Sequence, residues 1–294
     1  PVSKGDDYIR EGRSEWMDID WRAHQHWLTV AGRGVNVIEL GDGPTILFVH
    51  GLAGSWHNWL ENLPHLARSH RVVALDLPGF GYSEMPGEDV SISGYAECLL
   101  GICDQVGIEH AAVVGNSLGG FVGAELALMA PERVSRLVLV AAAVLWNERR
   151  RARPLNTLTR VTQASSALLA TQWRRAARRR RLRELSFRQV VRHPRRLPGP
   201  LAYEQLVHVG SREGFAAALH ALYSYSLRDR LPEISCPTLV VWGRDDRLVP
   251  VRQAQELAQT IGQARTVLFE DTGHVPQLER PQRFNSVLEE FLAE

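Results

Sequence analysis

The feature that most constrains this chain is a repeated alternation of short, nearly continuous apolar runs with longer segments of helical character. The runs "TILFVHG", "RVVALDLPG", "HAAVVGNS", "RLVLVAAAV", "PTLVVWGRDD" and "RTVLFEDTGH" are rich in β-branched residues and bounded by turn residues, which reads as strands. Between and after them lie "NWLENLPHLAR", "SISGYAECLLGICDQVG", the run from Leu118, "VRQAQELAQTIG" and "RPQRFNSVLEEFLAE", which read as helices. A strand that is apolar along its whole length is buried on both faces. The alternation therefore predicts an α/β fold with a mostly parallel sheet flanked by helices on both sides. Upstream, "HQHWLTVAG" and "GVNVIELG" alternate with period two and predict an antiparallel hairpin turning at "GRG". Eight strands are expected in all.

Between Trp146 and Leu231 the alternation stops. The segment is helical in character, strongly basic and without a convincing strand, so it reads as a helical cap inserted over the carboxyl ends of the strands. The expected organisation is a core from 1 to 145, opening with a polar tail to about residue 18, a cap from 146 to 231, and the rest of the core from 232 to 294. No apolar stretch is long enough to span a bilayer, and the first residues carry no apolar signal core, so a cytoplasmic setting is expected. Three cysteines, Cys98, Cys103 and Cys236, fit no metal spacing and read as buried thiols of a reducing compartment.

"VVGNSLGGF", from Val113 to Phe121, sits where a strand gives way to a helix. A G-x-S-x-G pattern there exposes the serine hydroxyl on a sharp, strained turn. Glycines on either side avoid the clashes that larger side chains would make, and the free N–H groups of the helix N-terminus lie beside any developing oxyanion. Ser117 is the candidate nucleophile. In an open parallel sheet the reactive groups gather at the carboxyl ends of the strands, which here offer His50, Asp76, Ser117, Asp245, Asp246 and His274. A serine needs a base, and the base needs an orienting carboxylate. His274, in "DTGHVPQLERP" past the last strand, is the candidate base. Asp245 and Asp246 compete for the acid role in "WGRDDRLVP", with Asp246 favoured. Leu118 and Leu52 are the candidate oxyanion donors, through their backbone N–H groups, with Ala53 as second choice for the latter. His50 and Asp76 read as loop braces.

These residues resemble the α/β-hydrolase fold family. "HGLAGS", "DLPGFGYS", "GNSLGG", "GRDDRLVP" and "GHVPQLERP" match its motifs in order. The resemblance implies a Ser117–His274–Asp246 triad, because Gly243 and Pro250 frame Asp246 in the family's pattern. It implies no cofactor or metal. Ser117 stands where dehalogenases and epoxide hydrolases of this fold carry aspartate, and a single lysine, Lys4, argues against lyases that use a cap lysine. Carbon–carbon bond hydrolases share "GNS", but typically have a glycine-richer oxyanion loop and a tryptophan where this chain has Val275. The activity expected is that of a serine carboxylesterase on esters of short to medium acyl chain. Cleavage of vinylogous keto-acids and a non-catalytic sensor of the same fold are the alternatives.

Net charge is only +1, but it is unevenly spread. From Glu148 to Arg196 there are 16 arginines and 2 acids, against 18 basic and 31 acidic residues elsewhere. This run reads either as a solvated face that pairs with acids of the core or as a contact for an anionic surface. No nucleic-acid motif accompanies it, so no nucleic-acid partner is expected. Oligomeric state is not set by the sequence.

Overall fold

The computed structural model describes residues 7–9, 12–87, 89–145 and 179–294. Eight strands form one sheet: β1 Gln25–Val30, β2 Arg33–Leu40, β3 Thr45–Val49, β4 Arg71–Leu75, β5 Ala111–Asn116, β6 Val134–Val140, β7 Thr238–Gly243 and β8 Ala264–Phe269. Their order is β1-β2-β4-β3-β5-β6-β7-β8. The β1/β2 and β2/β4 pairs are antiparallel and every other pair is parallel, so β2 runs against its seven companions. The β1–β2 hairpin turns at Ala31 and Gly32, with φ of 49° and 73°, so only the first glycine of the expected "GRG" lies in the turn. Two consecutive residues in the left-handed region are what a two-residue turn matched to the strand twist requires.

Among the described residues the α-helices are α1 Leu63–Leu66, α2 Ile92–Gln105, α3 Leu118–Met129, α4 Arg180–Phe187, α5 Gly199–Val207, α6 Arg212–Ser224, α7 Arg252–Thr260, α8 Pro276–Glu279 and α9 Pro281–Leu292. Ser91 starts α2 by accepting the Gly94 N–H at 3.0 Å. Alternate strand residues feed two cores. Leu47, Val49, Val113, Leu137, Leu139, Val240 and Trp242 face α2, α3 and α7. Ile46, Phe48, Val114, Val138, Val140, Leu239 and Val241 face α1 and α9 on the other side. This period-two split of all-apolar strands is the reason the sheet needs helices on both faces. Each fully buried aliphatic or aromatic side chain contributes about 1.5–3 kcal/mol relative to exposure.

Between β6 and β7 the described residues are helical and contain no strand. Phe187, Val191, Leu197, Leu201 and Leu206 extend the second core, whereas Leu182 and Leu185 are exposed. Most of the arginine-rich run, including Trp173 and Arg178, lies outside the described residues. Within the described part, Arg180 and Arg195 pair with Glu184, and Arg192 reaches the core acids Asp245 and Asp271 at 3.4 Å. The stretch read as a polar tail also contributes to the core: Tyr8, Ile9 and Trp16 are buried. Cys98 and Cys103 are unpaired on α2, where burial pushes their thiols up to about 12 and about 11. Among the described residues no helix is long and apolar enough to cross a membrane.

Candidate active site

The sheet order reverses between β3 and β5. The chain steps from β3 outward to β4, then returns to place β5 on the opposite side of β3. Such a switch point opens a crevice at the carboxyl ends of the two strands. Ser117 stands at the end of β5, and the "HGLAGS" loop leaves the end of β3.

Ser117 has φ 54° and ψ −111°, a left-handed conformation that costs a non-glycine residue about 1–3 kcal/mol. The surroundings hold it there. Its N–H donates to Val140 O at 2.9 Å, and its carbonyl accepts from Ala143 N–H at 3.1 Å and Phe121 N–H at 3.2 Å. The flanking glycines are required sterically. A Cβ on Gly115 would lie 2.2 Å from Gly119 O, and one on Gly119 would lie 2.2 Å from Val49 O. Helix α3 therefore starts in backbone contact with β3, immediately after the serine. The first N–H groups of a helix have no acceptor within it, so the Leu118 N–H is available to a ligand.

The β3 loop lies against this turn. A Cβ on Gly51 would be 3.1 Å from Asn116 Oδ1 and 3.2 Å from Ser117 Cβ. Leu52 follows, and Ala53 sits at φ 59°. His50 braces the loop from beneath. Its Nε2 accepts the Leu77 N–H at 2.9 Å, which leaves Nδ1 to donate to Gly51 O at 2.8 Å. Complete burial holds its pKa down to about 4, so the ring is neutral and committed to the backbone. Asp76 is buried too, accepting from Trp56 N–H, Asn36 Nδ2 and Tyr82 N–H at 2.8–3.0 Å. Burial raises its pKa above the usual carboxylate value.

Of the two adjacent acids, Asp246 meets the histidine. Its Oδ2 is 2.7 Å from His274 Nδ1, and its Oδ1 accepts the Leu248 and Val249 N–H groups at 2.8 and 2.9 Å. The Asp246 side chain is fully enclosed. Trp242 holds the same loop by donating from Nε1 to Val249 O at 3.1 Å. Asp245 points elsewhere, half-exposed beside Arg192. His274 is fixed through its backbone: its N–H donates to Val190 O of the cap at 2.7 Å, and its carbonyl accepts Asn116 Nδ2 at 3.4 Å. The carboxylate contact at Nδ1 leaves Nε2 as the ring's other reactive nitrogen.

Two side chains that shape this site were not singled out from the sequence. Glu279 is fully buried. Its Oε1 accepts the Gly273 N–H at 2.8 Å, and its Oε2 accepts the Arg192 N–H at 2.8 Å and the Tyr8 hydroxyl at 2.9 Å. Burial raises its pKa to about 7. Arg280, also buried, donates from Nε to Thr272 Oγ1 at 2.7 Å and pairs with Asp7 and Asp271. The signal for both was the charged pair "ER" in an otherwise buried segment, directly before Pro281.

A model of the alpha/beta hydrolase fold matches residues 44–281. The 2-hydroxymuconate semialdehyde hydrolase of Pseudomonas sp. (strain CF600) is 32% identical over 278 residues, covering 91% of this chain and 93% of that protein. The pimeloyl-[acyl-carrier protein] methyl ester esterase of Aeromonas hydrophila subsp. hydrophila is 31% identical over 260 residues, covering 88% and 99%. Among solved structures, a thermophilic esterase from Thermogutta terrifontis superposes with a TM-score of 0.72 at 27% identity, covering 92% of this chain and 98% of its own. With the strand order, the strained serine turn and the match over most of its length, the chain belongs to the α/β-hydrolase fold family.

Proposed function

We propose that this chain is a serine hydrolase that cleaves small carboxylic esters through an acyl-enzyme on Ser117. Ser117 Oγ attacks the carbonyl carbon while His274 Nε2 takes the hydroxyl proton. The oxyanion of the tetrahedral intermediate is held by the Leu118 and Leu52 N–H groups. Collapse expels the alcohol, which leaves with the proton from His274. A water then gives its proton to His274, attacks the acyl carbonyl and releases the acid, restoring Ser117. Asp246 keeps Nδ1 protonated and stabilises the imidazolium formed in each half-reaction. No step calls for a cofactor. The observation that carries this reading is the enclosed Asp246–His274 contact of 2.7 Å, together with a serine held at φ 54° directly after Asn116, whose Nδ2 lies 3.4 Å from His274 O.

A second reading has equal support. 2-Hydroxymuconate semialdehyde contains no ester, so the relative named for its hydrolysis breaks a carbon–carbon bond. The same acyl-transfer apparatus serves if the leaving group is a carbanion stabilised by a vinylogous keto-acid. Val275 and the "HGLAGS" loop favour the ester. The deciding experiment sets a panel of p-nitrophenyl esters of graded acyl length against a vinylogous 6-keto-acid, with fluorophosphonate labelling of Ser117 in parallel. Ester turnover far above keto-acid turnover supports the first reading, and the reverse ranking supports the second. A Ser117 that takes no label while the chain turns over neither substrate leaves a non-catalytic member of the family.

A further inference from the structure

Away from the triad, one cluster of side chains has no part in this chemistry. It lies where the core meets the cap. His57 belongs to the short 3-10 helix Trp56–Trp59, which follows the "HGLAGS" loop. Glu204 lies on α5, and His208 follows the last residue of that helix. The i, i+4 spacing puts the carboxylate and the second imidazole on one face of α5, toward His57. Glu204 Oε2 is 4.0 Å from His57 Nε2 and 3.2 Å from His208 Nδ1. One ligand atom from each residue can be chosen so that all three lie within 4.8 Å of one another.

We propose that His57, Glu204 and His208 form a binding site for a divalent cation of the zinc type, which clamps the cap to the core beside the oxyanion loop. Two imidazoles and one carboxylate make a donor set that zinc-class ions favour over magnesium or calcium, which prefer all-oxygen shells. Three protein ligands leave a fourth position to water. Ligand atoms around a four-coordinate zinc stand about 3.4 Å apart, from bond lengths near 2.1 Å. The three atoms now lie within 4.8 Å of one another, so binding draws them closer and reorients the His208 ring, whose Nδ1 also lies 3.1 Å from the Glu204 carbonyl oxygen.

The surroundings suit this role. Ser55 Oγ lies 3.0 Å from His57 Nδ1 and can accept its N–H, leaving Nε2 with its lone pair toward Glu204. Gln205 Nε2 donates to His57 O at 2.6 Å, tying the helix that carries Glu204 to the backbone of the first ligand. A surface cleft of about 470 Å3, lined by Trp21, Trp27, Trp56 and Tyr82, also reaches His57 and Glu204 and gives an ion its access path. The two imidazoles now stack with centroids 3.7 Å apart and planes 6° from parallel. A cation lies in the plane of each ring that binds it, so His208 must turn out of the stack on binding.

The test starts from full-length protein stripped with EDTA and desalted. Zn2+ is titrated in calorimetrically, Co2+ is added separately as a spectroscopic probe of tetrahedral coordination, and thermal unfolding is followed with and without metal. The expected result is one Zn2+ per chain, a visible Co2+ spectrum and a rise in Tm. The substitutions Glu204→Gln and His208→Asn should each weaken Zn2+ binding at least tenfold and abolish the Tm rise. Their Tm without metal shows whether they fold, and neither touches the triad. Absence of saturable one-to-one binding overturns the proposal. So does binding of equal strength in wild type and both variants, or an equal Tm rise with Mg2+.

Discussion

Glu279 accepts the Gly273 N–H at 2.8 Å, one residue before the proposed base, although the glycine lies in the loop after β8 and the acid at the end of α8. Its other oxygen takes the Arg192 N–H and the Tyr8 hydroxyl. One buried carboxylate thus joins the base loop, the cap and the N-terminal segment. Glu279→Gln puts an amide NH2 against donors that need an acceptor. An unsatisfied buried group of this kind costs about 1–3 kcal/mol. The expected outcome is a lower Tm together with a fall in kcat, because Gly273 positions His274. A variant that loses stability but keeps full turnover would confine Glu279 to the fold.

The same residue sets a pH dependence. Burial raises its pKa from 4.5 to about 7, so the native state holds a proton that the unfolded chain has already lost. Stability from this group is fully present below pH 4.5 and is lost as pH rises through about 7, an effect of about 3 kcal/mol. Denaturant titrations near pH 5 and near pH 8 measure it, with Glu279→Gln as the reference from which the slope has been removed. Parallel pH profiles for the two proteins would contradict the shift.

His50 works in the opposite sense. Its pKa is held down to about 4 from 6.5, so the unfolded state binds the proton first as pH falls. Its contribution is complete above pH 6.5, declines as pH falls toward 4, and is of order 3 kcal/mol. In His50→Gln the amide can still accept from Leu77 and donate to Gly51, but it cannot titrate. The expected result is a flatter stability profile from about pH 6.5 to about pH 4. An unchanged acid limb would assign the loss to other groups.

Asp246→Asn should reduce ester turnover by roughly 10⁴, because an amide can hold His274 in the wrong tautomer. Asp245→Asn touches a half-exposed pair with Arg192 and should change turnover less than threefold. Steady-state kinetics on the two variants give the ranking directly, and the reverse order would move the acid role to Asp245.

The strands, and the burial of β3 to β7 on both faces, were legible because all-apolar runs have few other places to go, although the edge strand β8 is only partly buried; Ser117 was legible because a strand, a helix and two glycines converge on it. The choice between Asp245 and Asp246 was legible only as a preference. What separates them is which carboxylate reaches His274 and the N–H groups of Leu248 and Val249, a property of the folded loop. The pairing of Glu279 with Tyr8 was not legible. They are 271 positions apart, and the bond between them depends on how the N-terminal segment returns to α8. The hairpin turn was misplaced by about two residues because "GRG" offers an obvious glycine turn, whereas the strand register closes at Val30 and Arg33.

Gly243 tests whether the proposed triad depends on the fit between two loops. It ends β7, three residues before Asp246, and a Cβ there would lie 2.0 Å from Gly273 O and 2.4 Å from Thr272 O. The atoms in the way are backbone, so they can yield only by moving the base loop away from the acid. Gly243→Ala is expected to cost about 1–3 kcal/mol of stability through overpacking. It should also reduce kcat at least tenfold with the triad residues unchanged, since the Asp246–His274 contact spans the gap that would open. Gly262→Ala is the control: nothing lies within 4 Å of the added methyl, so stability should hold or rise by a few tenths of a kcal/mol. Thermal unfolding and turnover on the two variants decide the matter. If Gly243→Ala kept full activity, the loops would have slack to accommodate the methyl, and the close approach of β7 to Gly273 would not be what holds the acid on the base.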